Sequence, residues 1–274
     1  MNPAQHGAAV VAETARFVAT VKAADLSTPV LSCPGWTLAD LTRHTGHVHR
    51  WFTELLRRRI QQPPSSREVD LRLPEHADGY PDWLTDGAAE AAEVFAGTDL
   101  DAPMWAWGLD QHARFWVRRM LFETLVHRAD AELALGLSPR IDRDLAVDGI
   151  DEFLTNLPFA SLFAPRTAEL RAPDRTIRFL CTDGTDGTGG TDGDESGDWL
   201  IRLRPDGFGL VADTPGTGTT GTGTTGPDTA DATVRGTAAD LLLLLYGRLD
   251  RESDAFHSEG DRDLLAHWFA HSAF

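Results

Sequence analysis

The sequence predicts an all-helical N-terminal domain, a four-helix bundle, followed by a smaller α+β domain with low-complexity hairpin insertions. Apolar residues recur at helical spacing over most of residues 1–140. Beyond residue 140, short runs alternate between polar and apolar residues as strands do. Two tracts rich in Gly, Thr and Asp interrupt this second part. We therefore predict one domain over residues 1–140 and another over residues 141–274.

The predicted bundle helices are long enough to share one core. They cover residues of about 5–24, 37–60, 83–95 and 110–135. Thr37 is a plausible N-cap for the second helix, with Asp40 in the capping-box position. Gly136 is a typical stop for the fourth. The interior of such a bundle is a common place for a metal site.

The C-terminal half contains shorter elements. A helical segment at about 150–157 precedes strand-like runs at 176–183, 199–213 and 232–236, and helices follow at about 237–246 and 260–270. Pro205 to Phe208 has the composition of a hairpin turn. The two Gly/Thr/Asp tracts, at about 184–197 and 214–229, have too little apolar surface to fold, so we expect disordered insertions there.

Composition restricts the class of partner. The net charge of −17 argues against nucleic acid, because binding phosphates requires a concentrated basic surface. The N-terminus lacks a signal-peptide pattern, and the apolar run from Leu241 to Tyr246 is too short to span a bilayer. Two widely separated cysteines fit a reducing cytoplasm. We expect a cytoplasmic protein, a monomer or small homo-oligomer, whose partners include neither nucleic acid nor a membrane.

The most informative pair of residues is Glu123 and His127, which are four residues apart in the fourth predicted helix. Their face also carries Trp116, Met120 and Ala131, so it should point into the core. A carboxylate and an imidazole are costly to bury unless they are paired or bound. Two interpretations follow: a buried Glu–His hydrogen bond, or two ligands of a divalent metal.

A third ligand is available in the second predicted helix, which carries His44, His47 and His49. His44 lies next to the apolar stripe, whereas His47 and His49 are predicted to lie toward solvent or the helix flank. One His from one helix and Glu-x-x-x-His from another give three ligands and an open coordination position, which is typical of catalytic sites. Zinc is the default metal for two His and one Glu, but these residue types also suit nickel, iron or manganese.

Three segments resemble the mycothiol-dependent maleylpyruvate isomerase family. They are SCPGWTLADLTRHTGHVHRW, RRMLFETLVHRADAELALG and VRGTAADLLLLLYGR, at residues 32–51, 118–136 and 234–248. The resemblance implies a DinB-like metal-binding bundle and a C-terminal domain similar to sterol carrier protein. By position, it implies that His44, Glu123 and His127 bind zinc. It also implies mycothiol, an actinobacterial thiol, as the cosubstrate.

The reaction is less defined than the metal site. A thiolate could add to an electron-poor C=C bond and leave after rotation, as in maleylpyruvate isomerisation, or remain attached, as in a transferase. A non-enzymatic metal-binding stress or regulatory module and a zinc–water hydrolase are the alternatives. A dicarboxylate substrate would need cationic anchors, and Arg235 is the preferred one among the candidates Arg118, Arg119, Arg235 and Arg248.

Overall fold

The chain combines helices and a sheet in two compact units. The computed structural model describes residues 1–64, 69–183, 197–211 and 230–273. Unit 1 comprises Met1–Arg140 and unit 2 comprises Ile141–Phe274. The predicted disordered insertions lie outside the described residues, except for Gly197.

The described residues of unit 1 form four long helices, one short 3₁₀-helix at Ala77–Gly79 and one very short two-stranded sheet. The helices are α1 (Pro3–Lys22), α2 (Leu38–Arg58), α3 (Tyr80–Ala96) and α4 (Ala113–Ala134), and the strands are β1 (Pro29–Val30) and β2 (Trp36–Thr37). Helix α1 packs on α3 and α4, and α2 packs on the same two helices. The antiparallel strands β1 and β2 lie immediately before α2. They therefore hold the connecting segment 31–35 close to the start of that helix.

Local sequence signals explain where α2 begins and where α4 ends. The Thr37 side chain accepts a hydrogen bond from the Asp40 backbone N–H, and the Asp40 side chain accepts one from the Thr37 backbone N–H. The predicted capping box is therefore confirmed. Helix α4 ends at Ala134, and Gly136 follows with φ of 71°, a conformation that glycine adopts without strain.

The predicted inward-facing stripe of α4 is confirmed. Trp116, Met120 and Ala131 are completely buried. The ring centroid of Trp116 lies 5.7 Å from that of Trp51 and 4.9 Å from that of Phe52, both on α2. This aromatic packing joins α2 to α4 and fixes the two helices on which the candidate ligands lie.

The described residues of unit 2 form a five-stranded sheet, three α-helices and two short 3₁₀-helices, at Leu157–Leu162 and Pro165–Glu169. Its elements are α5 (Arg143–Asn156), β3 (Arg175–Cys181), β4 (Asp198–Arg204), β5 (Gly207–Leu210), β6 (Ala232–Gly236), α6 (Ala238–Leu245), β7 (His257–Gly260) and α7 (Arg262–His271). The strand order is β5-β4-β3-β6-β7, and the β3–β6 pair is parallel whereas the other neighbouring pairs are antiparallel. The predicted hairpin at Pro205–Phe208 joins β4 to β5, where Arg204 pairs with Gly207.

At the C-terminal end, the last predicted helix is confirmed as α7, whereas strand β7 was not predicted. Residues 257–260 form strand β7, and the last helix begins at Arg262 rather than at Gly260. All four residues of β7 are exposed, so this edge strand lacks the apolar alternation that identifies a strand in sequence. Among the described residues, no helix combines the length and apolar character needed to cross a bilayer.

Candidate metal centre

Helices α2 and α4 bring the three predicted ligand residues together. One potential ligand atom from each of His44, Glu123 and His127 lies within 4.8 Å of the other two. His127 is buried, while His44 and Glu123 are half-buried. Since α2 and α4 pack directly on each other, residues 79 positions apart in sequence become neighbours without any contribution from a flexible loop.

The two oxygens of Glu123 face different partners. Oε1 lies 3.4 Å from an Nη2 atom of Arg119, and Oε2 lies 3.4 Å from Nε2 of His127. Burial alone raises the pKa of the Glu123 carboxyl, but the Arg119 guanidinium and the nearby imidazoles of His127 and His44 hold that pKa well below its usual range. Glu123 is therefore an ionised carboxylate, the form that binds a cation.

The His127 imidazole lies between two carboxylates. Nδ1 is 2.9 Å from Oδ2 of Asp130, and Nε2 faces Glu123. Burial lowers the pKa of His127, but its contacts with Asp130 and Glu123 outweigh burial and raise that pKa to about 9. The two carboxylates therefore favour the imidazolium form, with a proton on each ring nitrogen. A metal cation bound at Nε2 would take the place of the proton there.

His44 completes the cluster from α2. Its ring centroid lies 4.9 Å from that of His127, with an interplanar angle of 89°. The His44 ring also packs against the Trp36 ring, whose centroid lies 4.9 Å away with an interplanar angle of 54°. Trp36 belongs to β2, so the segment preceding α2 also contacts the His44 ring.

Sequence reasoning missed a fully buried acid at this site, Asp130. Its Oδ1 accepts a 2.6 Å hydrogen bond from Ser32 Oγ, and its Oδ2 lies 3.7 Å from Cys33 Sγ. Cys33, His127 and Asp130 also each offer a ligand atom within 4.8 Å of one another. Asp130 follows His127 by three positions and so lies on the same face of α4, a spacing from which the sequence could have predicted their contact.

The predicted solvent exposure of His49 was wrong. His49 is completely buried, and its Nε2 lies 2.7 Å from Thr124 Oγ1. Because the Thr124 hydroxyl donates to the Met120 carbonyl, Nε2 of His49 must donate. Burial, and secondarily Arg50, lowers the pKa of His49 to about 3, so the ring is neutral. His49 is buried because α2 contacts both α3 and α4, so a wider face of that helix is covered than its apolar stripe indicates.

His47, the other histidine predicted to lie toward solvent or the helix flank, is half-buried.

The candidate arginine anchors have different environments. Arg119 is buried beside Glu123, whereas Arg118 is half-buried on α4. Arg235 lies on β6 in unit 2, and its guanidinium is 3.7 Å from a carboxylate oxygen of Glu259 on β7. Arg248 donates a 2.5 Å hydrogen bond to the Tyr246 carbonyl.

Comparison with known proteins identifies the family. The described helices and sheet define a two-part protein with two His and one Glu grouped in its helical part. The family model for the mycothiol maleylpyruvate isomerase N-terminal domain matches residues 8–132, and the model for the MDMPI C-terminal domain matches residues 144–267. The chain therefore belongs to the mycothiol-dependent maleylpyruvate isomerase family, as its motifs predicted.

Solved structures support the fold. A crystal structure of the mycothiol-dependent maleylpyruvate isomerase is 13% identical to the chain, with a TM-score of 0.56, and the match covers 94% of this chain and 93% of that one. A crystal structure of a histidine-to-alanine mutant of that isomerase matches over the same shares of both chains at 12% identity, also with a TM-score of 0.56. A sequence comparison with curated proteins finds no match.

Proposed function

We propose that this protein is a divalent-metal-dependent enzyme that uses mycothiol as its thiol cosubstrate. The observation that carries the proposal is the convergence of His44, Glu123 and His127, from two helices, within 4.8 Å of one another. Family membership supports mycothiol as the thiol. Zinc is the metal we propose, since two imidazoles and one carboxylate match its catalytic sites.

The residues present fit a metal ion. The three donors are nitrogen and oxygen atoms, and the carboxylate of Glu123 is held ionised by its surroundings. Two acidic side chains, Glu123 and Asp130, contact one imidazole, so the cluster favours bound positive charge. Three protein ligands also leave a position for an external ligand, as a catalytic site requires.

The proposed chemistry divides between the metal and the chain. When bound, a divalent metal supplies Lewis acidity, which favours the thiolate form of a coordinating thiol at neutral pH. The chain supplies orientation: His44 and His127 direct their rings at one point, and Arg119 keeps one oxygen of Glu123 occupied. The Trp36 ring packs against the His44 ring and so restricts its orientation.

The proposed reaction is a cis–trans isomerisation of the maleylpyruvate type. The thiolate sulfur adds to one carbon of an electron-poor C=C bond, and the electron pair moves onto the conjugated carbonyl. Rotation about the resulting single bond follows. The electron pair then returns from the carbonyl, the C=C bond reforms and the C–S bond breaks, so the thiolate is regenerated. A transferase would instead keep the C–S bond, and product analysis distinguishes the two outcomes.

We also propose a finer assignment of the two units. Residues 1–140 would be a DinB-like four-helix bundle that carries the metal, in accord with the pairwise packing of α1 to α4. Residues 141–274 would be a domain similar to sterol carrier protein. Within it, Arg235 is our candidate anchor for a carboxylate of the substrate.

The metal assignment is tested by elemental analysis. Purified protein reconstituted with zinc should contain one equivalent, and His44→Ala and His127→Ala should each lose it. His47→Ala is the matched control, because it removes a histidine from the same helix as His44 without touching the three ligands. If the two ligand variants retain stoichiometric zinc, the assignment is wrong.

The thiol assignment is tested by calorimetric titration with mycothiol. Binding should require the metal and should disappear after chelation and return on readdition of zinc. Substrate turnover should depend on mycothiol and yield the trans isomer without consuming the thiol. Turnover without thiol would instead indicate a hydrolase, and metal binding without thiol binding would indicate a non-enzymatic module.

A further inference from the structure

Asp130 is a buried acid that no ligand set of the proposed reaction uses. It is fully buried on α4, three residues after His127. Burying a carboxylate is costly unless donors surround it. Three side chains surround it, two from the segment between β1 and β2 and one from α4, and all three can donate hydrogen bonds to its carboxylate. These contacts offset the cost of burying the charge.

The donors to Asp130 determine how its hydrogen bonds run. The Ser32 hydroxyl donates to Oδ1 at 2.6 Å, and the Cys33 thiol donates to Oδ2 with a sulfur–oxygen distance of 3.7 Å. Nδ1 of His127 lies 2.9 Å from Oδ2. Since a carboxylate can only accept, Nδ1 must carry a proton and donate.

This arrangement leaves the other nitrogen of the ring available. Nε2 of His127 is the atom that faces Glu123, at 3.4 Å, on the side where the candidate ligands meet. Metal-binding histidines usually donate their second ring N–H to a carboxylate or carbonyl, which fixes the tautomer and the ring orientation.

We propose that Asp130, oriented by Ser32 and Cys33, is a positioning residue that keeps His127 in the Nδ1–H form and presents Nε2 to the metal. The inference rests on the metal site of the proposed function and extends it to the segment between β1 and β2. Ser32 and Cys33 thus act on the metal through Asp130 and His127, without contacting it.

A rival arrangement uses the same atoms. Cys33, His127 and Asp130 could themselves bind a metal, through Nδ1 of the ring. That set would require Cys33 to lose its proton, and Asp130 would have to give up its hydrogen bonds from Cys33 and His127. The described contacts satisfy these groups with one another, so we place the metal on the Nε2 side.

The first test measures the affinity of the protein for Co²⁺ by competition with a chelator. Asp130→Asn should weaken binding about 10- to 100-fold, the usual effect of removing such a partner of a metal-binding histidine. Ser32→Ala should weaken it less, because Asp130 keeps its other donors. Asp82→Asn, the same substitution at an exposed position of α3, should bind like the wild type.

The second test uses the absorption spectrum of the Co²⁺-loaded protein. The proposal predicts no thiolate-to-metal charge-transfer band, and Cys33→Ser should leave the spectrum unchanged. A band that disappears in Cys33→Ser would place the metal on the rival set and overturn the proposal. Wild-type affinity in Asp130→Asn would also overturn it, while the proposed function would stand.

A direct reading of the tautomer covers the case in which Asp130→Asn does not fold. Long-range ¹H–¹⁵N NMR of the zinc-loaded wild type should show His127 protonated at Nδ1 and metal-bound at Nε2. The reverse assignment would refute the inference without affecting the metal itself. If the wild type binds no metal under any condition, the proposed function fails first.

Discussion

Helix α4 carries two buried polar clusters that differ in kind. In the closed cluster, Arg128 donates to Glu13 at 2.5 Å, to Glu132 at 2.6 Å and to the Arg140 carbonyl at 3.1 Å. In the open cluster, the His127 imidazole lies between Glu123 and Asp130 with one contact as long as 3.4 Å. In each cluster the central side chain is buried and contacts one buried and one half-buried carboxylate.

The difference between them lies in the central cation. The Arg128 guanidinium cannot lose its proton in a protein, and its Nε, Nη1 and Nη2 atoms each donate to a fixed acceptor. The imidazole of His127 can exchange a proton for a metal at Nε2. Burial of charge alone therefore does not distinguish the two clusters, and the exchangeable proton of His127 is the feature that favours a metal site in the open one.

The largest expected effect concerns the closed cluster. Arg128→Met leaves the buried carboxylate of Glu13 without its main partner, and breaking a buried pair in this way costs about 3–5 kcal/mol. The free energy of unfolding, measured with urea on the metal-free protein, should fall by that amount. Any folded fraction should still bind zinc, because the three ligands are untouched.

Two further variants sharpen this test. Arg16→Ala removes the other arginine bound to Glu13, but its side chain is 40% exposed, so we expect a loss of about 1 kcal/mol or less. Adding Glu13→Gln to Arg128→Met should recover much of the lost stability, because the uncompensated charge is then gone. Loss of zinc binding in Arg128→Met would mean that the two clusters are not separate.

The second effect concerns His49 of α2, whose Nε2 lies 2.7 Å from Thr124 Oγ1 on α4. Its pKa is lowered to about 3 in the fold, so between the unfolded pKa of 6.5 and pH 3 the unfolded chain binds a proton that the folded chain does not. Stability must fall as the pH falls through this window. Between pH 7 and pH 5, this residue should remove about 2 kcal/mol.

Comparison with His49→Gln isolates this contribution. The variant should be less stable than the wild type at pH 7, and the difference should shrink by about 2 kcal/mol at pH 5, since glutamine takes up no proton. Unfolding should be followed in the presence of a chelator, so that metal release does not add its own pH dependence. A constant difference at both pH values would mean that His49 is not buried as described.

How far the sequence reaches can be judged from individual residues. The i, i+4 spacing of Glu123 and His127 was sufficient to predict a shared face, and the Thr37–Asp40 capping box was visible in advance. The contacts of Asp130 with Ser32 and Cys33 span 98 and 97 residues, so only the packing of the β1–β2 segment on α4 brings them together. His49 was misjudged because helical periodicity gives a direction but not the number of neighbouring helices.

The smallest effect concerns a partly exposed ion pair outside both clusters, formed by Arg235 and Glu259. The two side chains are 35% and 54% exposed, so solvent screens the ion pair, and it adds about 1 kcal/mol or less to stability. If Arg235 anchors a carboxylate of the substrate, Arg235→Gln should raise KM about tenfold, equivalent to about 1.4 kcal/mol, with kcat nearly unchanged. Steady-state kinetics with saturating mycothiol would measure both constants.

The control for Arg235 is Arg178→Gln. Arg178 lies on β3, the strand next to β6, and forms an ion pair with Asp198 on β4. This variant should leave KM at the wild-type value. Glu259→Gln should lower KM, because the substrate carboxylate no longer competes with Glu259 for the guanidinium. Equal KM values in Arg235→Gln and Arg178→Gln would remove Arg235 from the proposed site, and the buried Arg119 would then be the next cation to test, with the added difficulty that it also holds Glu123.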